Sequence, residues 1–187
     1  MQSIARIVLA FLMLAPHLAR AGHPGPESAV RAFYQWDIAH AHASSDRSAF
    51  KRFVSAELVC LVKAHARYLR AHGQTYPDLK PALAEFDYFS GFPGTPTRFT
   101  LKKSKVAGES AWVEVQLFRD EPGYRDPEGL NATVQLSKAG RDWIITDVSF
   151  SHRIPLDRLT AALYADMAPD RDMRWDERET AVCRTKP

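Results

Sequence analysis

The sequence is poor in cysteine, in net charge and in long apolar runs. Its 187 residues include two cysteines, and 25 Lys plus Arg stand against 22 Asp plus Glu. No CxxC pair, phosphate-cradling glycine loop or Ser-His-Asp spacing occurs, so no motif points to a redox, nucleotide-binding or hydrolytic enzyme. The nearly balanced charge argues against a protein that holds nucleic acid through its phosphates. We therefore predict no nucleic-acid partner, no cofactor and no metal site.

The N-terminus has the three regions of a secretory signal. Arg6 supplies a positive charge, Ile7–Ala15 are apolar, and Ala19-Arg20-Ala21 has the small-x-small pattern that signal peptidase reads. The apolar run is far shorter than the roughly 20 residues that span a bilayer, so we predict no stable membrane anchor. We expect residues 1–21 to be removed and the protein to be periplasmic or secreted. Removing Arg6 and Arg20 with this segment leaves 23 basic residues against 22 acidic ones.

The two cysteines, Cys60 and Cys183, are far apart in the sequence. In an oxidising compartment a lone pair of cysteines often forms a disulfide. Such a bridge would close most of the chain into one loop and would tie down a polar C-terminal segment. The alternative is two unpaired thiols, one in a helix and one at a frayed end.

Helical periodicity comes first in the chain and strand periodicity follows. Apolar residues recur at helical spacing in segments 27–43 and 56–72, with Gly73 expected to end the second helix, and 155–167 reads as a final helix. Four segments rich in β-branched and aromatic residues are predicted as strands: 97–106, 111–119, 130–137 and 142–150. This order indicates an α+β fold, with N-terminal helices packed on a curved antiparallel sheet that forms a cone. We predict one domain over residues 22–168 and a charged tail over 169–187 with little apolar reason to pack.

Three stretches of the chain share a known pattern. Glu27–Trp36 is an aromatic opening helix, Asp87-Tyr88-Phe89 has an Asp-x-Phe spacing, and Trp112–Phe150 is a meander that closes on a Trp-Ile-Ile strand. Together they resemble the DUF3828 group of exported bacterial proteins, within the NTF2-like superfamily of cystatin-like α+β domains. The resemblance covers roughly residues 27–150 and implies an NTF2-like cone. Because the function of that group is unknown, the resemblance implies a fold and not an activity.

Three titratable residues are candidates for acid–base catalysis inside the cone. Asp37 lies on the apolar stripe of the first helix, where desolvation would raise the pKa of its carboxyl. His65 lies on the inner stripe of the second helix, and Asp87 stands just before the sheet. Each has a structural alternative: a solvated helix edge or an Arg partner for Asp37, a satisfied core position for His65, and a turn or cap for Asp87. The residues predicted to line a pocket are Phe33, Tyr34, Asp37, His65, Tyr88 and Trp112.

The sequence favours an exported protein without catalytic activity that binds a small apolar ligand or another protein of the envelope. One alternative is an acid–base enzyme that uses Asp37, His65 and Asp87. Another is an inhibitor or immunity protein that neutralises a periplasmic toxin, using the loop 120–129 and the charged tail. The three hypotheses differ in what the cone contains: a ligand pocket, converging titratable groups, or a packed core.

Overall fold

The computed structural model describes residues 25–40, 47–151 and 158–184. The predicted signal peptide lies outside these residues and stays a prediction. In chain order, the elements are α1 (Pro26–Ala39), a 3-10 helix (Arg47–Arg52), α2 (Ala56–Thr75), β1 (Arg98–Ala107), β2 (Ser110–Phe118), β3 (Leu130–Ala139), β4 (Asp142–Phe150), α3 (Leu159–Asp166) and α4 (Arg178–Ala181). The α+β class, the four strands and the helix-first order are confirmed. No helix in the described ranges combines the length and the apolar character that crossing a bilayer requires.

Both long helices begin at residues that suit a helix N-terminus. Pro26 occupies the first turn of α1, where its fixed φ is compatible with a helix, and Glu27 places a negative charge near the positive end of the helix dipole. The Ser55 hydroxyl accepts a hydrogen bond from the Leu58 amide (3.2 Å) and thereby caps α2. These local signals explain why the sequence locates the start of each helix to within a residue.

The helix ends differ from the prediction. α1 ends at Ala39, and the predicted extension to residue 43 lies outside the described residues. Gly73 does not end α2, which continues to Thr75, because the Tyr76 amide still donates to the His72 carbonyl oxygen at 2.7 Å. The expected stop at Gly73 is therefore wrong by two residues.

The sheet is an antiparallel meander in the order β1-β2-β3-β4. Along β2, the aliphatic residues Ala111, Val113, Val115 and Leu117 are buried and alternate with the more exposed Trp112, Glu114 and Gln116. α1 packs against this buried face. Irregularities in register lie between Leu101 and Ser104 of β1 and beside Gln135 of β3, and such bulges increase the local twist of a sheet.

Residues 169–184 pack on α2, contrary to the expectation that the tail has little apolar reason to fold. The Trp175 side chain is 7% exposed, and its ring meets Tyr68 of α2 edge-on, with centroids 5.3 Å apart. A disulfide joins Cys60 of α2 to Cys183, with the two Cα atoms 5.3 Å apart, as one of the two sequence alternatives predicts. The tail is therefore attached to the domain by an aromatic contact as well as by a covalent bond.

Candidate functional site

The residues predicted to line a pocket do not share one environment. Phe33 and Tyr34 are fully buried in the core, where the Phe33 ring contacts Phe53 and Phe89 with centroids 5.8 and 4.9 Å apart. Trp112 points away from the helices, because it alternates with the buried aliphatic residues of β2. Trp112, predicted to line a pocket with Phe33 and Tyr34, therefore lies on the opposite face of the sheet from these two residues.

The interior of the cone is filled by side chains. An enclosed space beside Tyr88, Phe150 and Leu159 has a volume of about 10 Å³. A cavity of that size holds at most about one water molecule. The interior described here therefore provides no room beside these residues for an apolar ligand.

Both carboxyls predicted as catalytic, those of Asp37 and Asp87, lie close enough to Tyr34 for their charges to affect it. The Tyr34 hydroxyl donates to the Phe89 carbonyl oxygen (2.9 Å), and burial, together with the charges of Asp37 and Asp87, raises the pKa of Tyr34 well above its usual value. One oxygen of Asp87 accepts hydrogen bonds from the amides of Phe89 and Ser90, each at 3.0 Å. Asp87 thus performs the turn-forming role that the sequence left open as its alternative.

His65 belongs to a hydrogen-bonded chain that the sequence did not indicate. Its ring is fully buried, with Nε2 at 2.6 Å from Asp166 Oδ2 and Nδ1 at 2.8 Å from the Tyr88 hydroxyl. The second oxygen of Asp166 accepts the Ala82 amide at 2.9 Å. In the tautomer that satisfies both bonds, Nε2–H donates to the Asp166 carboxyl oxygen and Nδ1 accepts the hydrogen of the Tyr88 hydroxyl. Asp166 was missed because it lies 101 residues from His65, and no local pattern connects them.

An open cleft of about 740 Å³ lies where β1 begins and β2 ends. It is lined by Ile38 of α1, by Leu69 of α2, and by residues from segments 83–88, 94–97 and 119–122. Of the six residues predicted to line a pocket, Tyr88 is the one that this cleft includes. The lining combines apolar side chains with charges of both signs, which is the chemistry of a protein segment rather than of a purely apolar ligand.

One wall of the cleft is the start of the connection 119–129, which we call the β2–β3 loop. The Arg98 guanidinium binds Asp120 (2.8 Å) and the Asp126 carbonyl oxygen (2.6 Å). Asp126 in turn accepts the Gly129 amide at 3.0 Å, and the Asp126 amide donates to Asp120 at 2.8 Å. Hydrogen bonds from Arg98 hold the pKa of Asp120 below its usual value, and the Gly129 amide, with other backbone amides, does so for Asp126. Both carboxyls are therefore ionised at neutral pH, and both ends of the loop are fixed.

The tip of the β2–β3 loop presents an aromatic side chain to solvent. The backbones of Glu121 and Tyr124 exchange two hydrogen bonds, each of 2.9 Å, which closes a tight turn. The Tyr124 side chain is 58% exposed beyond this turn. A large aromatic side chain on a rigid, polar loop is the kind of group that anchors protein–protein interfaces.

Comparisons with protein-family profiles and with curated proteins find no match to this chain. Among solved structures, the chain is similar to part of the crystal structure of the type VI native effector-immunity complex Tae3-Tai3 from Ralstonia pickettii. The similarity covers 70% of this chain and 98% of the matched chain, at 19% sequence identity and a TM-score of 0.46. A likeness of this extent assigns neither a family nor an activity, and membership of the DUF3828 group stays a prediction.

Proposed function

We propose that this is an exported protein that binds another protein through its surface and performs no catalysis. The observation that carries the proposal is the β2–β3 loop, which is fixed at both ends and holds Tyr124 58% exposed beside an open cleft. A loop that is ordered before binding loses little conformational entropy when a partner docks. Tyrosine supplies a large contact area with few rotatable bonds, which makes it an effective anchor.

The packed core supports this choice among the three hypotheses. The space beside Tyr88 and Phe150 has a volume of about 10 Å³, which is too small for an apolar ligand. The disulfide between Cys60 and Cys183 is typical of proteins from oxidising compartments and so agrees with export. In its finer form, the proposal is an inhibitor or immunity protein that neutralises a periplasmic toxin, since such a protein needs a rigid surface and no chemistry of its own.

The test begins with a photo-cross-linking amino acid at position 124 in the exported, oxidised protein. We expect a discrete cross-linked partner in the envelope fraction, which mass spectrometry then identifies. With that partner purified, Tyr124→Ala should weaken binding at least tenfold by calorimetry, while the unfolding midpoint of the protein stays unchanged. The matched control is Leu79→Ala, which removes a side chain that is 64% exposed and lies outside the β2–β3 loop, the cleft lining and the tail.

Two results would contradict the proposal. One is the absence of any cross-link at position 124 together with a small apolar molecule that co-purifies with the exported protein. The other is an equal loss of affinity in the Tyr124→Ala and Leu79→Ala variants, because the loop would then have no special role in binding.

A second candidate function is acid–base chemistry, and the chain Tyr88–His65–Asp166 favours it. Tyr88 is among the residues of the cleft, and His65 is positioned to accept its proton while Asp166 orients the imidazole. This arrangement would make the Tyr88 oxygen a nucleophile or base. The candidate catalytic residues would then be Tyr88, His65 and Asp166. Of the predicted residues Asp37, His65 and Asp87, this group keeps His65.

A tyrosine-reactive sulfonyl-triazole reagent tests the second candidate. In the reaction the Tyr88 oxygen forms a bond to sulfur, the triazole leaves, and the phenol proton passes to His65. If the chain activates Tyr88, this residue is labelled faster than the more exposed Tyr124, and Asp166→Asn removes the advantage. Slower labelling of Tyr88 than of Tyr124 in the unaltered protein would leave the chain with a structural role only.

A further inference from the structure

The two edges of the sheet differ in their backbone hydrogen-bond partners. At the β4 edge, residues 53–55 run alongside the strand: the Ile145 amide donates to the Phe53 carbonyl oxygen, and the Ser55 amide donates to the Ile145 carbonyl oxygen, each at 2.8 Å. At the other edge, β1 pairs with β2, and no second strand of the described chain pairs with it. The outer row of N–H and C=O groups of β1 therefore has no ladder partner among the described residues.

The second half of β1 is exposed on both of its faces. Every residue from Lys102 to Ala107 is exposed, and Val106 keeps 54% of its surface accessible. The segment is nonetheless attached to the body, because Ser104–Ala107 pair with β2 and the Ser104 hydroxyl donates to the Glu27 carboxylate of α1. Lys102 and Lys103 lie in the register irregularity between Leu101 and Ser104. An ordered, exposed edge of this kind is a template for the addition of another strand.

The positive charge of the β1 edge indicates which kind of partner strand could pair with it. Lys102, Lys103 and Lys105 lie within four residues, and β1 contains no acidic residue. No ion pair joins these three lysines to any residue in the described ranges. Pairing with β1 of a second copy would place lysine against lysine, which is unfavourable in directly opposed positions. Lysines on an edge thus disfavour self-association, whereas an acidic strand would gain both ladder hydrogen bonds and charge pairs.

We propose that β1 is a docking edge for an extended acidic segment of a partner protein, which adds to the sheet as a fifth strand next to Lys102–Ala107. The inference rests on the proposed function as a partner-binding protein but not on Tyr124, which lies in the connection after β2 rather than on β1. The ladder supplies the affinity, and the lysines supply the selection for acidic side chains at alternating positions.

The experiment uses the exported, oxidised protein labelled with ¹⁵N and three ten-residue peptides. The first peptide alternates Glu with Thr, the second replaces each Glu by Lys, and the third is the acidic peptide with the amides of one edge N-methylated. We expect the acidic peptide to shift the amide resonances of residues 102–107, the Lys peptide to leave them unchanged, and N-methylation to weaken binding at least tenfold. Methylation removes ladder donors without changing the charge, so it separates strand addition from simple charge attraction.

Two protein variants complete the design. Charge reversal in the double variant Lys103→Glu, Lys105→Glu should weaken the acidic peptide at least tenfold, whereas Lys63→Glu, at an exposed position of α2, should leave its affinity within twofold. Equal binding of the methylated and unmethylated acidic peptides, or no binding of either, would overturn the proposal. Tyr124→Ala should leave peptide binding unchanged. A partner that still binds through Tyr124 when the peptides fail would refute the docking edge alone and leave the proposed function intact.

Discussion

Removal of the disulfide between Cys60 and Cys183 should weaken the whole domain. The two residues are 123 positions apart, and the bridge encloses most of α2, the whole sheet and α3. For a closed loop of this length, the chain-entropy estimate of the stabilisation is about 5 kcal/mol. At roughly 2–4 °C per kcal/mol for a domain of this size, the unfolding midpoint should fall by about 10–20 °C.

The assay compares the oxidised protein with the double variant Cys60→Ser, Cys183→Ser by thermal and urea unfolding. Hydrogen exchange over residues 169–184 reports the tail separately. We expect faster exchange in the tail of the variant, but not full exposure, because Trp175 still packs on Tyr68. A reducing agent should lower the midpoint of the unaltered protein and have no effect on the variant.

A loss of less than about 1 kcal/mol in the variant would refute the loop-entropy reasoning for this chain. So would a tail that exchanges as fast as an unfolded peptide while the midpoint of the domain is unchanged. In that case the bridge would hold the tail alone, and the aromatic contact would contribute nothing measurable.

Three further predictions concern the core and the turns. In urea titrations, Phe33→Ala should lower the free energy of unfolding by about 3–5 kcal/mol, because the ring is fully buried. Trp112→Ala, on the outer face of β2, should lower it by about 1 kcal/mol or less. Equal losses would contradict the placement of Trp112 outside the core. Gly108→Ala should cost about 1–2 kcal/mol, because the positive φ of this residue is its one obstacle. Gly129→Ala should cost clearly more, because its Cβ would also lie 2.5 Å from the Leu117 carbonyl oxygen. Similar losses in the two variants would contradict this geometry. The pKa of Tyr34 is raised in the folded state, so the stabilisation from its protonated hydroxyl is complete below about pH 10 and is lost as the pH rises above that value. In urea unfolding, Tyr34→Phe should reduce the fall in the free energy of unfolding at alkaline pH. An unchanged dependence of this free energy on pH would refute the assignment.

The parts of the fold that the sequence predicts are those determined locally. Helix starts follow from Pro26 and Ser55, and the strands follow from runs of β-branched and aromatic residues. β1 pairs with β2, and β3 with β4, across one tight turn each. Even the face of Trp112 could have been predicted, since it shares its side of β2 with Glu114 and Gln116 while the other side is wholly aliphatic. The polar residues that share a face with an aromatic side chain therefore indicate its side of the sheet better than the aromatic residue itself does.

The candidate site depends on contacts that no local pattern contains. Asp166 lies at the end of α3 and reaches His65 only when α3 docks on α2, so neither its position nor its spacing indicates a partner. The aromatic contact of the tail comes from Trp175, the one aromatic residue of a largely charged segment, and composition alone gives this residue too little weight. The open edge of β1 requires the strand order, which periodicity does not supply.

The hydrogen-bonded chain at His65 also has a consequence for the lifetime of the folded state. Its partners lie 23 and 101 residues away in sequence, so it closes only after α2, the segment of Tyr88 and α3 have come together. We expect these bonds to be absent from the transition state for folding, with φ-values near zero at His65 and Asp166. Weakening them would then accelerate unfolding and leave the folding rate nearly unchanged. This buried chain would thus govern how long each molecule stays folded, rather than how quickly it folds.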